Sequence, residues 1–412
     1  MSTQVITAEA KGNIYQSIIL NLFHGMQKGK LNLSLPNGMH YSIGDGMGTE
    51  AYVNIIDPDF FRKCVLYGDV GFGEAYVDGD WSTNNIKNVI NWFLLNIDNA
   101  PSISGSSAKA VAVNIFKGVN KISHLFRANS VAGSRKNISE HYDLNNDFFK
   151  LFLDDTMTYS SAYFTRPDMT LEEAQFEKYD RLCKQLHVKA EDHVLEIGSG
   201  WGGMCMHMAR EYGCRVTTIT ISEEQYKYAK ERIKAAGLDH LIDIQLKDYR
   251  LLEGKFDKIV SIEMLEAVGH KFLDIYFKKC QDLLKKDGLF ALQVITCPDS
   301  RYDSLRKGVD WIQKYIFPGS LLPSIAAING SVNKTSDLTM IDLKDMGMDY
   351  ARTLKLWAER FNNALEEVRH LGFDDRFIRK WNYYLNYCEA AFESRNIHVM
   401  QLVYSRPNNT SY

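Results

Sequence analysis

From about residue 139 onward, apolar stretches of strand length alternate with stretches of helical periodicity. That alternation limits the fold more than any other feature of the chain. It predicts a strand over 193–197 with a helix from Gly202, a strand over 215–221 with a helix over 223–236, and a strand over 242–246. A strand over 256–262 with a helix after it, and a strand over 289–296, complete the series. Repeated βα units imply an α/β fold with a largely parallel, doubly wound sheet. A ligand then belongs beyond the carboxyl ends of the strands.

The rest of the chain reads differently. Leu31, Leu33 and Leu35 alternate with polar neighbours, Pro36-Asn37-Gly38 makes a turn, and Tyr41 and Ile43 follow, which predicts a hairpin. Asp57 is the expected N-cap of a helix with Pro58 at its first position, and Asn84 that of a helix carrying Ile86, Val89, Ile90, Phe93 and Leu94. Residues 1–98 therefore form a small α+β unit. Residues 99–138 form a linker opening with a Ser-rich stretch over 101–107, and residues 139–412 form the third segment. Between Asp98 and Glu140 there is no acid, while Lys109, Lys117, Lys121, Arg127, Arg135 and Lys136 all fall there. Val111, Ile115, Val119, Ile122 and Phe126 recur at helical spacing. Such a helix can dock on an anionic membrane, or lie between domains with a solvated basic face.

Composition excludes several classes. A chain of 412 residues, 45% hydrophobic and 24% charged, is neither disordered nor a coiled coil. A net charge of −3 provides no basic field for nucleic acid. Seven cysteines without a CxxC or Cys/His ligand spacing argue against a disulfide scaffold or a metal site, and point to a reducing, cytoplasmic compartment. The apolar run Ile18–Phe23 is too short to span a bilayer. A soluble or surface-bound protein is the expectation.

The sharpest local signal is Val194-Leu-Glu-Ile-Gly-Ser-Gly-Trp-Gly-Gly203, a strand running into a Gly-rich turn and a helix. Gly198 and Gly200 admit a ligand close to the backbone. The pattern is not the dinucleotide Gly-x-Gly-x-x-Gly, and Glu196 suits a ligand ammonium better than a phosphate. The second strand ends near Thr220 and Gln225. The third ends at Asp248-Tyr249-Arg250, where an acid and an aromatic can hold an adenine or simply cap the loop. Together these features are similar to those of an S-adenosylmethionine-dependent methyltransferase domain.

Further motifs make the resemblance specific: the stretch over 141–164 beginning His-Tyr-Asp-Leu-Asn-Asn, Ser261-Ile-Glu-Met-Leu-Glu-Ala-Val-Gly269, Tyr315-Ile-Phe-Pro-Gly319, Asp349-Tyr-Ala-Arg-Thr-Leu354 and Tyr383-Tyr-Leu-Asn-Tyr-Cys388. In this order they resemble the cyclopropane-fatty-acyl-phospholipid synthase family. Residues Gly68–Trp81 resemble that family's accessory domain. The resemblance implies a Rossmann-like class I methyltransferase sheet with helical insertions around a lipid pocket. It implies a homodimer, peripheral on the inner face of the membrane, acting on unsaturated acyl chains of a phospholipid bilayer.

The family transfers the sulfonium methyl to a cis double bond, leaving a carbocation that loses a proton from the new methyl to close a ring. Water must be excluded and a base supplied. The resemblance implies cofactor contacts from Tyr159, Ser160, Val194, Glu196, Gly198, Ser199, Gly200, Gly202, Thr220, Gln225, Asp248, Tyr249 and Arg250. It implies a bicarbonate base held by Ser161, Glu266, Gln293, the backbone of Ile295, and Tyr350. Ser161 and Gln293 replace a Cys and a His of the better-known bacterial pattern, yet a hydroxyl and an amide can still donate to an anion. Glu266 either orients the bicarbonate or takes the proton itself. Cys388, on an aromatic helix, reads as a packed core thiol rather than a nucleophile. Rival readings are a C-methyltransferase leaving a methylene or methyl branch, with a reductase as partner, an N-methyltransferase of small amines, and a non-enzymatic lipid binder.

Overall fold

The computed structural model describes residues 14–97 and 145–410, and the basic segment over 99–138 lies outside them. The described residues form two compact units. One is built from 14–97 with Asp375–Tyr383, and the other from 145–374 with 384–410.

In the first unit, β1 (Lys30–Ser34) and β2 (His40–Ile43) form the expected hairpin, with Leu31 opposite Ile43. β3 (Glu50–Ile55) runs parallel to β1, and the short β4 (Trp81–Ser82) closes the order β2-β1-β3-β4. Leu31, Leu33, Ala51, Val53 and Ile55 are buried at every second position, as a sheet with one covered face requires. The helix Asp59–Asp78 begins one residue later than expected, with Pro58 at the N-cap. Asp57 still accepts a hydrogen bond from the Asp59 amide at 2.8 Å, so the local turn chemistry holds while the boundary moves. The cap of the helix Ile86–Leu95 is Asn85, not Asn84: Asn85 accepts from the Asn88 amide at 3.0 Å, and only a residue directly before Ile86 reaches that third helical amide. The segment Asp375–Tyr383, expected within 139–412, clusters with this unit instead. Arg376 pairs with Asp78 at 2.9 Å, Arg379 donates to the Val77 carbonyl, and the Tyr383 ring lies 5.7 Å from that of Tyr76.

The second unit holds a sheet of seven strands. They are β5 (His193–Ile197), β6 (Arg215–Thr220), β7 (Ile242–Leu246), β8 (Phe256–Ile262), β9 (Leu284–Thr296), β10 (Thr339–Asp345) and β11 (His398–Ser405), in the order β10-β11-β9-β8-β5-β6-β7. The strands β5 to β9 are mutually parallel, and β11 runs antiparallel between β9 and β10. Side chains alternate between two apolar clusters. Leu195, Ile197, Phe290 and Leu292 face one, and Val194, Val216, Leu289 and Ala291 the other, so the sheet is buried on both faces. The expected single helix after β8 is instead two short turns, Leu265–Ala267 and His270–Phe272, followed by the helix Leu273–Leu283. Helical insertions stand between β9 and β10 and between β10 and β11. Neighbours leave β5 in opposite directions, to β6 and to β8, which opens the crevice where doubly wound sheets bind ligands.

Candidate active site

Gly198, Gly200 and Gly202 all hold positive φ, at 100°, 48° and 92°. The Gly198 and Ser199 amides donate to the Ile219 carbonyl at 3.1 and 2.8 Å, which pins the turn to β6. A Cβ at Gly202 would touch Ala229, whereas a Cβ at Gly200 would meet no protein atom within 4 Å. The flank of Gly200 is therefore open to a ligand, and the helix Gly203–Tyr212 starts just beyond it.

The other expected cofactor residues fall around this turn with differing roles. Thr220 donates to Gln225 at 2.9 Å and accepts from the Ser222 amide, ordering the end of β6. Asp248 accepts from the Arg250 amide and guanidinium, while the Tyr249 ring packs on Tyr276 with Arg250 above it. Tyr159 donates to Tyr384 at 2.8 Å beside Trp357 and Phe149. Ser160 accepts from Lys178 at 2.8 Å.

Two further residues lie in and under the strand that leads into the turn. Val194 is fully buried in the sheet core. Glu196 is buried and accepts from Thr218 at 2.5 Å, and burial pushes its carboxyl up to about 8. The Thr218 bond ties this carboxyl to β6 beneath the turn.

The expected anion nest is assembled, but on a different centre. The Ser161 amide and the Gln293 side-chain amide both donate to Glu263 Oε1 at 2.8 Å. The Tyr350 hydroxyl lies near the same carboxyl and favours its ionised form. The Ser161 hydroxyl turns away and donates to the Ala162 carbonyl, so its backbone rather than its side chain supplies the donor. Ile295 donates its amide to Glu266 Oε1 at 2.5 Å, and Glu266 Oε2 has no hydrogen-bond partner among the described residues. Glu263, at the carboxyl end of β8, was not among the residues the sequence singled out. Its signal lay in the motif itself, an acid three residues before Glu266 with apolar neighbours.

Both carboxyls are raised, with different opposing groups. Burial, and then the negative charge of Glu263, push Glu266 up to about 8. Burial also raises Glu263, but the donors from Gln293 and Ser161 and the nearby Lys178 oppose it and favour its ionised form. Burial depresses Lys178 to about 7 against the pull of Glu263. Burial pushes the Cys388 thiol far up, as suits a packed thiol and not a nucleophile.

The polarity of the nest is set from outside it. Arg181, paired with Asp342 at 2.8 Å, donates to Gln401 Oε1 at 2.9 Å. Gln401 then presents its NH₂ to Gln293 Oε1 at 2.9 Å, across the β9–β11 register pair. Because a guanidinium can only donate, each amide has one orientation, and Gln293 must turn its NH₂ to Glu263.

An open Gly turn at the switch point, aromatic walls and a carboxyl pair beside them define a class I S-adenosylmethionine-dependent methyltransferase. Comparison with known proteins agrees. The chain belongs to the mycolic acid cyclopropane synthetase family, whose model matches residues 130–402. It is similar to tuberculostearic acid methyltransferase of Mycobacterium tuberculosis, 39% identical over 82% of this chain and 79% of that protein. It is similar to cyclopropane-fatty-acyl-phospholipid synthase of Escherichia coli, 38% identical over 86% and 88%. Among solved structures it resembles mycolic acid cyclopropane synthase complexed with S-adenosylhomocysteine, with a TM-score of 0.61 and 29% identity over 66% of this chain and 98% of that one. No helix among the described residues is long and apolar enough to cross a membrane.

Proposed function

We propose that this enzyme methylates the cis double bond of phospholipid acyl chains and closes a cyclopropane ring. The observation that carries this reading is the reach of the similarity. The Escherichia coli phospholipid enzyme aligns over 86% of the chain, well beyond the stretch matched by the family model, whereas a cyclopropane mycolic acid synthase aligns over 64%.

When bound, S-adenosylmethionine supplies an electrophilic methyl on sulfonium sulfur. The chain's residues do the rest. The open flank of Gly200 and the turn around it seat the cofactor. The Tyr159 ring lies 5.2 Å from that of Trp357 and 6.3 Å from that of Phe317, which lies 5.8 Å from that of Tyr384, in an aromatic wall. Such a wall excludes water and can steady a carbocation through its π faces. A carboxyl at the β8 end accepts the proton. The basic segment over 99–138 docks the enzyme, as a homodimer, on the anionic inner face of the membrane, with each Lys or Arg contributing about 1 kcal/mol.

A second reading, a methyl or methylene branch completed by a reductase, is favoured by the similarity to tuberculostearic acid methyltransferase. Lipid extracts from cells expressing the chain decide between them. Mass spectrometry should show one CH₂ gained per monounsaturated chain, and proton NMR should show ring methylene signals. Vinylidene or branched-methyl signals would replace the first reading with the second.

A further inference from the structure

We propose that Glu263 is the catalytic base, its carboxylate standing where a bicarbonate was expected, and that the reaction needs no added anion. The inference rests on the methyl-transfer reading above and says which group takes the proton.

Four observations carry it. First, two groups at the expected anion site, the Ser161 amide and the Gln293 NH₂, both donate to Glu263 Oε1, with the Tyr350 hydroxyl nearby. An exogenous anion would face a carboxylate and find these donors engaged, so the residues present do not fit it. Second, the relay from Asp342 and Arg181 through Gln401 forces the Gln293 NH₂ inward, and an inward NH₂ demands an acceptor such as a carboxylate. Third, Glu263 holds φ +48°, a left-handed conformation that costs a residue with a side chain on the order of 1–3 kcal/mol. Such strain marks a side chain aimed for a purpose. Fourth, Glu263 is less buried than Glu266, whose Oε1 is occupied by Ile295.

The step balances. The alkene π pair forms a bond to the methyl carbon, and the C–S pair stays on sulfur, giving neutral S-adenosylhomocysteine and a cation on the neighbouring chain carbon. A C–H bond of the new methyl breaks. Its electron pair closes the ring, and its proton passes to the Glu263 carboxylate, which becomes a neutral acid and later releases the proton to solvent.

The test uses the full chain, S-adenosylmethionine and vesicles of dioleoylphosphatidylglycerol, in buffers stripped of or supplied with bicarbonate. The parent should turn over equally in both. Glu263→Gln should keep cofactor affinity by calorimetry and lose about 10²-fold or more in turnover. Glu263→Gly, which relieves the left-handed strain and empties the nest, should be as slow without bicarbonate and regain turnover when it is added. In ¹³C NMR, labelled bicarbonate should sharpen into its free signal with the parent and broaden with Glu263→Gly. Bicarbonate-dependent turnover of the parent, bicarbonate bound to the parent, or near-normal turnover of Glu263→Gln would overturn the proposal. If the parent yields no lipid product, the lipid reading fails by itself. The NMR arms still decide what fills the nest: broadening with the parent sinks Glu263, and broadening with Glu263→Gly alone sustains it.

Discussion

The cofactor cradle and the base nest lie in the same unit but are built by opposite means. The cradle is local and made of backbone: β5, a turn of three left-handed glycines and a helix start, all between His193 and Tyr212. The nest is made of side chains from distant segments. Glu263, Gln293 and Gln401 meet because β8, β9 and β11 pair in a fixed register, and Ser161 and Tyr350 join them from a loop and a helix far along the chain. A backbone cradle depends on small residues and tolerates little filling. A side-chain nest depends on the direction of each amide and can be reversed without changing its shape.

Three variants sharpen this difference, in decreasing order of effect. Gly200→Val places atoms in the open flank and forces a β-branched residue into a left-handed position. Cofactor binding by calorimetry should be lost, with turnover lost alongside it. Retained affinity would mean that the ligand lies elsewhere.

Gln401→Glu tests the nest by polarity alone. The new carboxylate would accept from both Arg181 and Gln293, turning the Gln293 carbonyl towards Glu263. Glu263 then loses a charge-assisted donor worth about 1.5–3 kcal/mol, so its pKa rises. Turnover near neutral pH should fall about tenfold or more, the acid limb of the pH profile should move to higher pH, and cofactor affinity should stay unchanged. A uniform loss with an unmoved profile would assign Gln401 a merely structural part.

Glu196→Gln should have the smallest effect, on stability. The folded carboxyl titrates at about 8 against an ordinary 4.5. Between those values the folded state keeps a proton that the unfolded state has released, so this group's contribution to stability falls as pH rises across that window. Thermal melts of the parent should therefore drop from pH 5 to pH 7.5, and the variant, uncharged throughout, should drop less. Parallel pH dependence would mean that Glu196 is ionised in the folded state.

The same contrast explains what the sequence disclosed. The parallel sheet was legible because strand and helix periods alternate plainly. β5, β7 and β8 lie where apolar runs place them, while β9 begins earlier because Leu284–Gly288 carries polar residues that the pattern reads as a loop. The Gly turn was legible because its chemistry is contiguous. The Thr218 partner of Glu196 was not legible, because nothing in a five-residue strand tells which neighbouring strand supplies it. Ser161, Gln293 and Tyr350 were singled out through motif resemblance, but Glu263, on which Ser161 and Gln293 converge, was not. That convergence depends on a left-handed φ and on hydrogen bonds to residues 102 and 30 positions away. Arg181 and Gln401, which set the amide directions, stand in no motif.

The central claim is that a protein carboxylate removes a proton from the transferred methyl itself. Purified enzyme given S-adenosylmethionine with a fully deuterated methyl, and vesicles of dioleoylphosphatidylglycerol, tests it by mass spectrometry of the lipid product. The account predicts that each modified chain keeps two of the three deuterium atoms and loses no hydrogen of its own. A product that keeps all three, with a hydrogen lost from the acyl chain, would place the base beside the chain carbon and contradict it.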